Sequence, residues 1–302
     1  MQIRLGYVSQ NKSIPLSPSH TITVKNFSKL ETREEKIEKI TKVAKENIEN
    51  TKKILKWNIE NNIKVYRISS NLIPLATWDG FSFPYQKLLK RELEDLGKLI
   101  KENDLRVSFH PDPFCVINSP SDKVFEATVR NLEYHDKLLQ LMELDKKYKI
   151  VMHVGGVYGD KEYGKKQFIH RFRELPISVQ QRVVLENDDK SYHTLDVLDL
   201  CGKLQIPMVM DIHHYHVNQM GEELESTLRK AFFTWEKERP KIHFSSPKSR
   251  EEIRAHGEYI DVKEFKKFLV VAEKLQQDFD VMLEAKGKDL ALLKLRNELA
   301  KK

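Results

Sequence analysis

The chain has 302 residues, enough for one large domain or two small ones, and its 32% charged and 40% hydrophobic content is that of a soluble globular protein. No apolar run approaches the roughly 18–20 residues that a membrane span requires, and two distant cysteines, Cys115 and Cys201, exclude a zinc knuckle or a redox pair. A net charge of +7 favours an anionic partner, for which nucleic acid is the usual candidate.

Residues 2–8 predict a first strand rather than a secretory leader, so a reducing, cytoplasmic setting is expected. Lys and Glu at i,i+4 spacing predict a long first helix over roughly 33–62. Short runs rich in Val, Ile, Leu and Met predict further strands at 64–69, 105–110, 149–154, 181–186, 207–212, 241–244 and 280–285. Continuous apolar stretches such as Val183-Val184-Leu185 and Met208-Val209-Met210 suit parallel strands buried on both faces. Between the strands, Leu89, Leu93, Leu96 and Ile100 share one helical face, as do Phe265, Phe268, Leu269, Ala272 and Leu275. Ser119-Pro120 predicts an N-cap followed by proline at the first helical position, and Asp261 with Glu264 predicts a capping box.

Strand–helix units repeated eight times, without a composition break, predict a single (β/α)8 TIM barrel over residues 1–302. A doubly wound open sheet is the competing architecture. It would want a glycine-rich turn after the first strand, and Ser9-Gln10-Asn11-Lys12 is not one.

The C-terminal strand ends form the working face of such barrels. His110, His153, Glu186 and Asp211 end predicted strands three to six, His243 lies in the seventh, and Glu284 is near the end of the eighth. A barrel wall has no structural use for so many polar side chains, since burying each unpaired is costly and shared metal ions remove the penalty. Nitrogen and carboxylate donors without cysteine suit Zn2+, Mn2+ or Fe2+ better than Ca2+ or Mg2+ alone. A carboxylate such as Glu186 can bridge two ions, and paired ions clamp the attacking and leaving oxygens of a phosphodiester. Of His213, His214 and His216, just past strand six, at most two can join the site, because adjacent side chains diverge. His256, in the loop after strand seven, can return to the same rim. His135 falls on an apolar helical stripe with Phe125, Val129, Leu132 and Leu139, while His20, His170 and His193 lie off the strand ends; all four read as structural.

The strand-end blocks resemble the UV damage endonuclease family: Gly6-Tyr7 with Asn11, Tyr66-Arg67-Ile68-Ser69-Ser70, Phe109-His110-Pro111 and Met152-His153-Val154-Gly155-Gly156. So do Leu185-Glu186-Asn187-Asp188, Asp211-Ile212-His213-His214, Lys241-Ile242-His243-Phe244-Ser245-Ser246 and Glu284-Ala285-Lys286, in order along nearly the whole chain. The resemblance implies an endonuclease that incises duplex DNA immediately 5′ to cyclobutane dimers and 6-4 photoproducts, and at some other distortions, by multi-metal phosphodiester hydrolysis. It implies two to three divalent ions, Mn2+ foremost, with Zn2+ or Mg2+ as alternatives. His110, His153 and Glu186 would hold the first ion, and Glu186, Asp211, His243 and Glu284 the second. His214 and His256 would serve a third, and Glu186 and Lys241 would be catalytic. Lys241 matches a lysine carboxylated in some members; the plain alternative is a lysine facing phosphate. Tyr7 and Asn11 match positions that reach into DNA near the lesion. Where the family usually has a Gln-Tyr wedge, this chain has Pro113-Phe114: Phe114 keeps an aromatic face for stacking, while Pro113 cannot replace a glutamine's hydrogen bonds. The implied partner is damaged double-stranded DNA, bound by a monomer, with Trp78, Phe81, Tyr158 and Tyr215 as further aromatic candidates. Two rival readings are a sugar isomerase or epimerase on the same barrel, and a module that binds distorted DNA without cutting it.

Overall fold

Each predicted apolar run forms a strand in the computed structural model, which describes residues 1–301. In chain order they are β1 (Ile3–Val8), β2 (Val65–Arg67), β3 (Arg106–Ser108) and β4 (Ile150–His153), then β5 (Val183–Glu186), β6 (Met208–Asp211), β7 (Lys241–Phe244) and β8 (Phe279–Leu283). All eight run parallel in the order β3-β2-β1-β8-β7-β6-β5-β4. A parallel bridge between Phe109 and Ile150 joins the two outer strands and closes the barrel. Gly6 allows β1 and β2 to approach: a Cβ there would lie 2.4 Å from the Val65 carbonyl oxygen.

Parallel neighbours need crossovers, and helices supply them. The first half carries α1 (Val24–Phe27), α2 (Arg33–Glu60), α3 (Tyr85–Leu88), α4 (Lys90–Glu102), α5 (Asp122–Leu141) and α6 (Lys161–Glu174). The second carries α7 (Ile177–Gln180), α8 (Thr194–Leu204), α9 (Ile212–Val217), α10 (Leu224–Phe233), α11 (Val262–Glu273) and α12 (Lys288–Ala300). The long first helix starts where a capping box between Thr32 and Glu35 satisfies its first amides. On α4 the predicted face is the buried one, with Leu93, Leu96 and Ile100 against the core, and Leu89 is buried at the junction just before it.

Two local expectations are corrected. The N-cap of α5 is Ser121, not Ser119; Ser119 Oγ instead accepts the Ser121 amide at 3.2 Å, which leaves Pro120 outside the helix. Asp261 caps α11 by accepting the Lys263 and Glu264 amides, but its own amide goes to Ser246 Oγ, so the box is only half formed. The histidines after β6 lie on a helix, since Asp211 accepts the His214 amide at 2.7 Å and starts α9 directly at the strand end.

Strand alternation sends Val151 and His153, Val184 and Glu186, Val209 and Asp211, and Lys241 and His243 toward the barrel axis. Val151, Val184 and Val209 form a separate apolar cluster with Trp235, two residues before the polar layer on each strand. At the N-terminal end of the barrel, fully buried Asp280 receives Arg4 Nε at 2.7 Å and Arg106 Nη1 at 2.8 Å, with Arg239 Nε 2.9 Å away. The barrel interior thus stacks an ion cluster, a valine plug and a ring of ligand-type residues, and the plug shuts water out from below the ring.

Candidate metal centre

Glu186, the last residue of β5, lies at the middle of the ring and is 1% exposed. Its Oε2 lies 3.0 Å from His110 Nε2 and 3.8 Å from His153 Nε2, while Oε1 lies 2.7 Å from His243 Nδ1. Donor atoms of His110, His153 and Glu186 fall within 4.8 Å of one another, and so do those of Glu186, Asp211, His243 and Glu284. These are the two expected ligand sets, and Glu186 belongs to both.

The residues present fit divalent ions on three counts. Asp211 Oδ2 and His153 Nδ1 are buried without a hydrogen-bond partner, which is costly unless a cation meets them. Three carboxylates converge here with Asp211 wholly buried, and bringing that much negative charge together requires cations. His110, His214 and His256 each have Nδ1 against a backbone oxygen, of Pro111 at 3.0 Å, Asn187 at 2.9 Å and Glu284 at 2.9 Å. An Nδ1–H donated to a carbonyl fixes the tautomer and leaves Nε2 as the free lone pair, the usual setting of a metal-binding histidine.

Electrostatics follow the same geometry. Burial alone would raise the Glu186 carboxyl, but His243, His153 and His110 hold it well below the ordinary range. Burial is likewise outweighed at Glu284, where Arg67 and His243 hold the carboxyl low. His214 is opposed by burial yet pushed up to about 9 by Asp211, Glu186 and Glu284. The field that favours an imidazolium there would equally draw a divalent cation. Burial lowers His243 and His153. Lys241, fully enclosed, is held well below the usual lysine value by burial and by Arg106 and Arg67, and its Nζ donates to Ser108 Oγ at 2.9 Å.

The pair expected to hold a third ion does not complete a set of three. The His214 and His256 rings are 6.0 Å apart, and among the described residues neither belongs to a cluster of three donors. His213, also lowered by burial, packs 5.4 Å from His256 instead. Tyr7 and Asn11, expected to reach into DNA, are buried in this structure, at 0% and 4% exposure. The Tyr7 hydroxyl donates to Asn58 Oδ1 at 2.7 Å and accepts from Asn11 Nδ2 at 2.8 Å. Asn11 Oδ1 accepts the Ser13 and Ile14 amides, so the two residues shape the loop after β1 rather than face outward.

Phe114 is the opposite case. It is 87% exposed in the loop that follows His110, beside exposed Pro113. A cavity of about 410 Å3 opens there, lined by His110, Pro113, His153, Tyr158, Lys190 and Arg254. Tyr215 is buried with its hydroxyl on the Glu222 carbonyl, and Trp78 and Phe81 pack on Phe27, so these three are packing residues. The structural histidines are as expected: His135 is buried with Nδ1 on the Asn131 carbonyl, His170 pairs with Glu174, His20 with Glu46 and His193 with Asp196.

Three residues of the site were not singled out from the sequence. Asn187 exchanges hydrogen bonds with the Asp211 backbone at 2.8 and 3.0 Å and fixes the β5–β6 strand ends. Arg254 Nε donates to Asp189 at 2.6 Å and ties the hairpin carrying His256 across the rim. Arg67 ends β2 and donates to Glu284. Asn187 and Arg67 lie at or next to a strand terminus, the positional signal that marked the ligands themselves.

A closed parallel barrel with histidines and carboxylates gathered at its C-terminal mouth defines a TIM-barrel protein whose strand ends could hold metal ions. The family described as UV-endonuclease UvdE matches residues 3–302, and the chain belongs to that family. A UV DNA damage endonuclease of Bacillus cereus strain Q1 is 41% identical over 303 residues, spanning 99% of this chain and 95% of its own. The crystal structure of SacUVDE superposes with a TM-score of 0.90 at 35% identity, over 100% of both chains. Endonuclease IV from Thermus thermophilus shares the barrel alone, with a TM-score of 0.59 at 12% identity over 83% of this chain and 94% of its own.

Proposed function

We propose that this chain is a metal-dependent DNA endonuclease that incises duplex DNA immediately 5′ to ultraviolet photoproducts, acting as a monomer on damaged DNA. The observation that carries the reading is Glu186, buried and common to both donor sets. His110, His153 and Glu186 would hold one ion and Glu186, Asp211, His243 and Glu284 a second, with His214 and His256 available to a third, and Mn2+ the first choice. Ions held there supply Lewis acidity, making a water more acidic and neutralising charge that develops on the phosphate.

The protein's own residues do the rest. Exposed Lys190, Lys248, Arg250, Arg254 and Lys286 lie in the strand-end loops, where they attract the phosphodiester backbone. Phe114 would stack in the space left when weakly paired damaged bases leave the helix. Lys241 is enclosed and held toward its neutral form, the form of an amine that adds carbon dioxide, which supports a carbamate beside the ions. A sugar epimerase has no use for an exposed phenylalanine and a basic rim at its mouth. A module that only binds would not need two ligand sets sharing one buried carboxylate.

The test is incision of a 5′-labelled duplex bearing one thymine dimer, with Mn2+ and with EDTA, beside undamaged and abasic duplexes. A metal-dependent cut directly 5′ to the dimer is expected. Cutting of the abasic duplex alone would move the activity to abasic-site repair, and no cutting of any duplex would overturn the nuclease reading.

A further inference from the structure

Arg67 is the one cation that enters the ligand ring from β2. The residue is 8% exposed, and its guanidinium donates to Glu284 and places Nη2 3.0 Å from His243 Nε2 and 3.4 Å from His243 Nδ1. Glu284 and His243 are two of the four donors in the second set. Arg67 Nε is buried with no partner, so the guanidinium is held by this end alone.

His243 is the second contact. Its Nδ1 faces Glu186 Oε1 at 2.7 Å and Glu284 Oε1 at 3.2 Å, while Arg67 Nη2 lies against its Nε2. A divalent ion held by Glu284 and His243 would stand beside a guanidinium that shares Glu284, and in so buried a site the repulsion between like charges expels Arg67 from its place.

We propose that Arg67 is a positioning residue that serves as a built-in counter-cation for the second ion subsite. It keeps Glu284 and His243 gathered while the subsite is empty, and it must leave them when the ion enters. The inference rests on the metal reading given above. Arg67 therefore weakens the second ion, makes filling sequential, and leaves the His110, His153 and Glu186 set to load first. That first set contains no contact to Arg67 among its hydrogen bonds.

The experiment titrates the chelator-stripped full chain with Mn2+ alone, without DNA, following free Mn2+ by electron paramagnetic resonance. Wild type is compared with Arg67→Met and Arg67→Lys, each checked for folding by circular dichroism and by thermal melts with and without Mn2+. In Arg67→Met the weaker ion should bind about tenfold to a hundredfold more tightly, the range of one charge-assisted hydrogen bond, while the tighter ion changes little. Arg67→Lys should fall between. The ion-free Arg67→Met chain should melt below wild type and gain more from Mn2+, because the ion replaces the missing cation. If Arg67→Met does not fold without ions, Arg67→Lys carries the comparison. Unchanged or weaker second-ion binding in a folded variant overturns the inference and leaves the metal reading standing. Absence of any Mn2+ binding by wild type overturns both.

Discussion

Glu186 Oε1 lies 2.7 Å from Nδ1 of His243, a contact that joins β5 to β7 across the end of β6. One buried carboxylate thereby couples the donors contributed by β3 and β4 to those contributed by β6, β7 and β8. Replacing it with Gln keeps the shape but removes the charge that both sets share. Glu186→Gln should lower metal-dependent incision by at least about a hundredfold, since even outer partners of metal ligands contribute that much, while binding to a dimer-containing duplex stays measurable by anisotropy. Near-normal incision by this variant would remove Glu186 from its central role.

The exposed ring of Phe114 invites a separate test. Phe114→Ala should weaken binding to a dimer-containing duplex by about 1–3 kcal/mol and leave undamaged duplex almost unaffected, because stacking needs vacated space. Equal weakening on both duplexes would make Phe114 a general contact rather than a lesion probe.

Lys241 bonds to Ser108 inside the barrel, under Glu186 and His243. With 13C-labelled bicarbonate, a carbamate carbonyl resonance is expected from wild type and not from Lys241→Met. Identical spectra would leave Lys241 an ordinary buried amine.

Acid stability has a defined contributor away from the site. Burial lowers His135 from 6.5 to about 4. The unfolded chain therefore takes up the proton first as pH falls. The stability associated with neutral His135 is complete above about pH 6.5 and is lost progressively down to about pH 4, amounting to about 3 kcal/mol. His135→Phe should flatten the stability profile in that window, and taking the difference from wild type cancels the other buried histidines. A parallel profile would show that His135 titrates normally.

The ion cluster at the opposite end of the barrel is structural. Asp280 is the shared acceptor for Arg4, Arg106 and Arg239, and Lys241 is its register neighbour. Asp280→Asn removes the buried counter-charge that three part-buried arginines share, leaving only exposed Asp104 and Asp278 near Arg4 and Arg239, and should destabilise the fold by about 3–5 kcal/mol in urea titrations. A loss below about 1 kcal/mol would mean that water reaches the cluster.

The barrel and most of its ligand ring were legible along the chain because both are periodic properties. Parallel strands buried on two faces are continuous apolar runs, and the working side chains sit where those runs stop. His110, His153, Glu186, Asp211, His243 and Glu284 could therefore be placed by counting to strand ends. Which polar atom meets which was a different matter. That Tyr7 turns inward to Asn58 with Asn11 on its hydroxyl, that Ser121 rather than Ser119 is the N-cap residue of α5, and that Arg67 reaches Glu284 from β2 all depend on contacts between residues far apart in sequence or on local backbone geometry. Burial and hydrogen-bond competition decide such contacts only after the barrel has closed and fixed the distances.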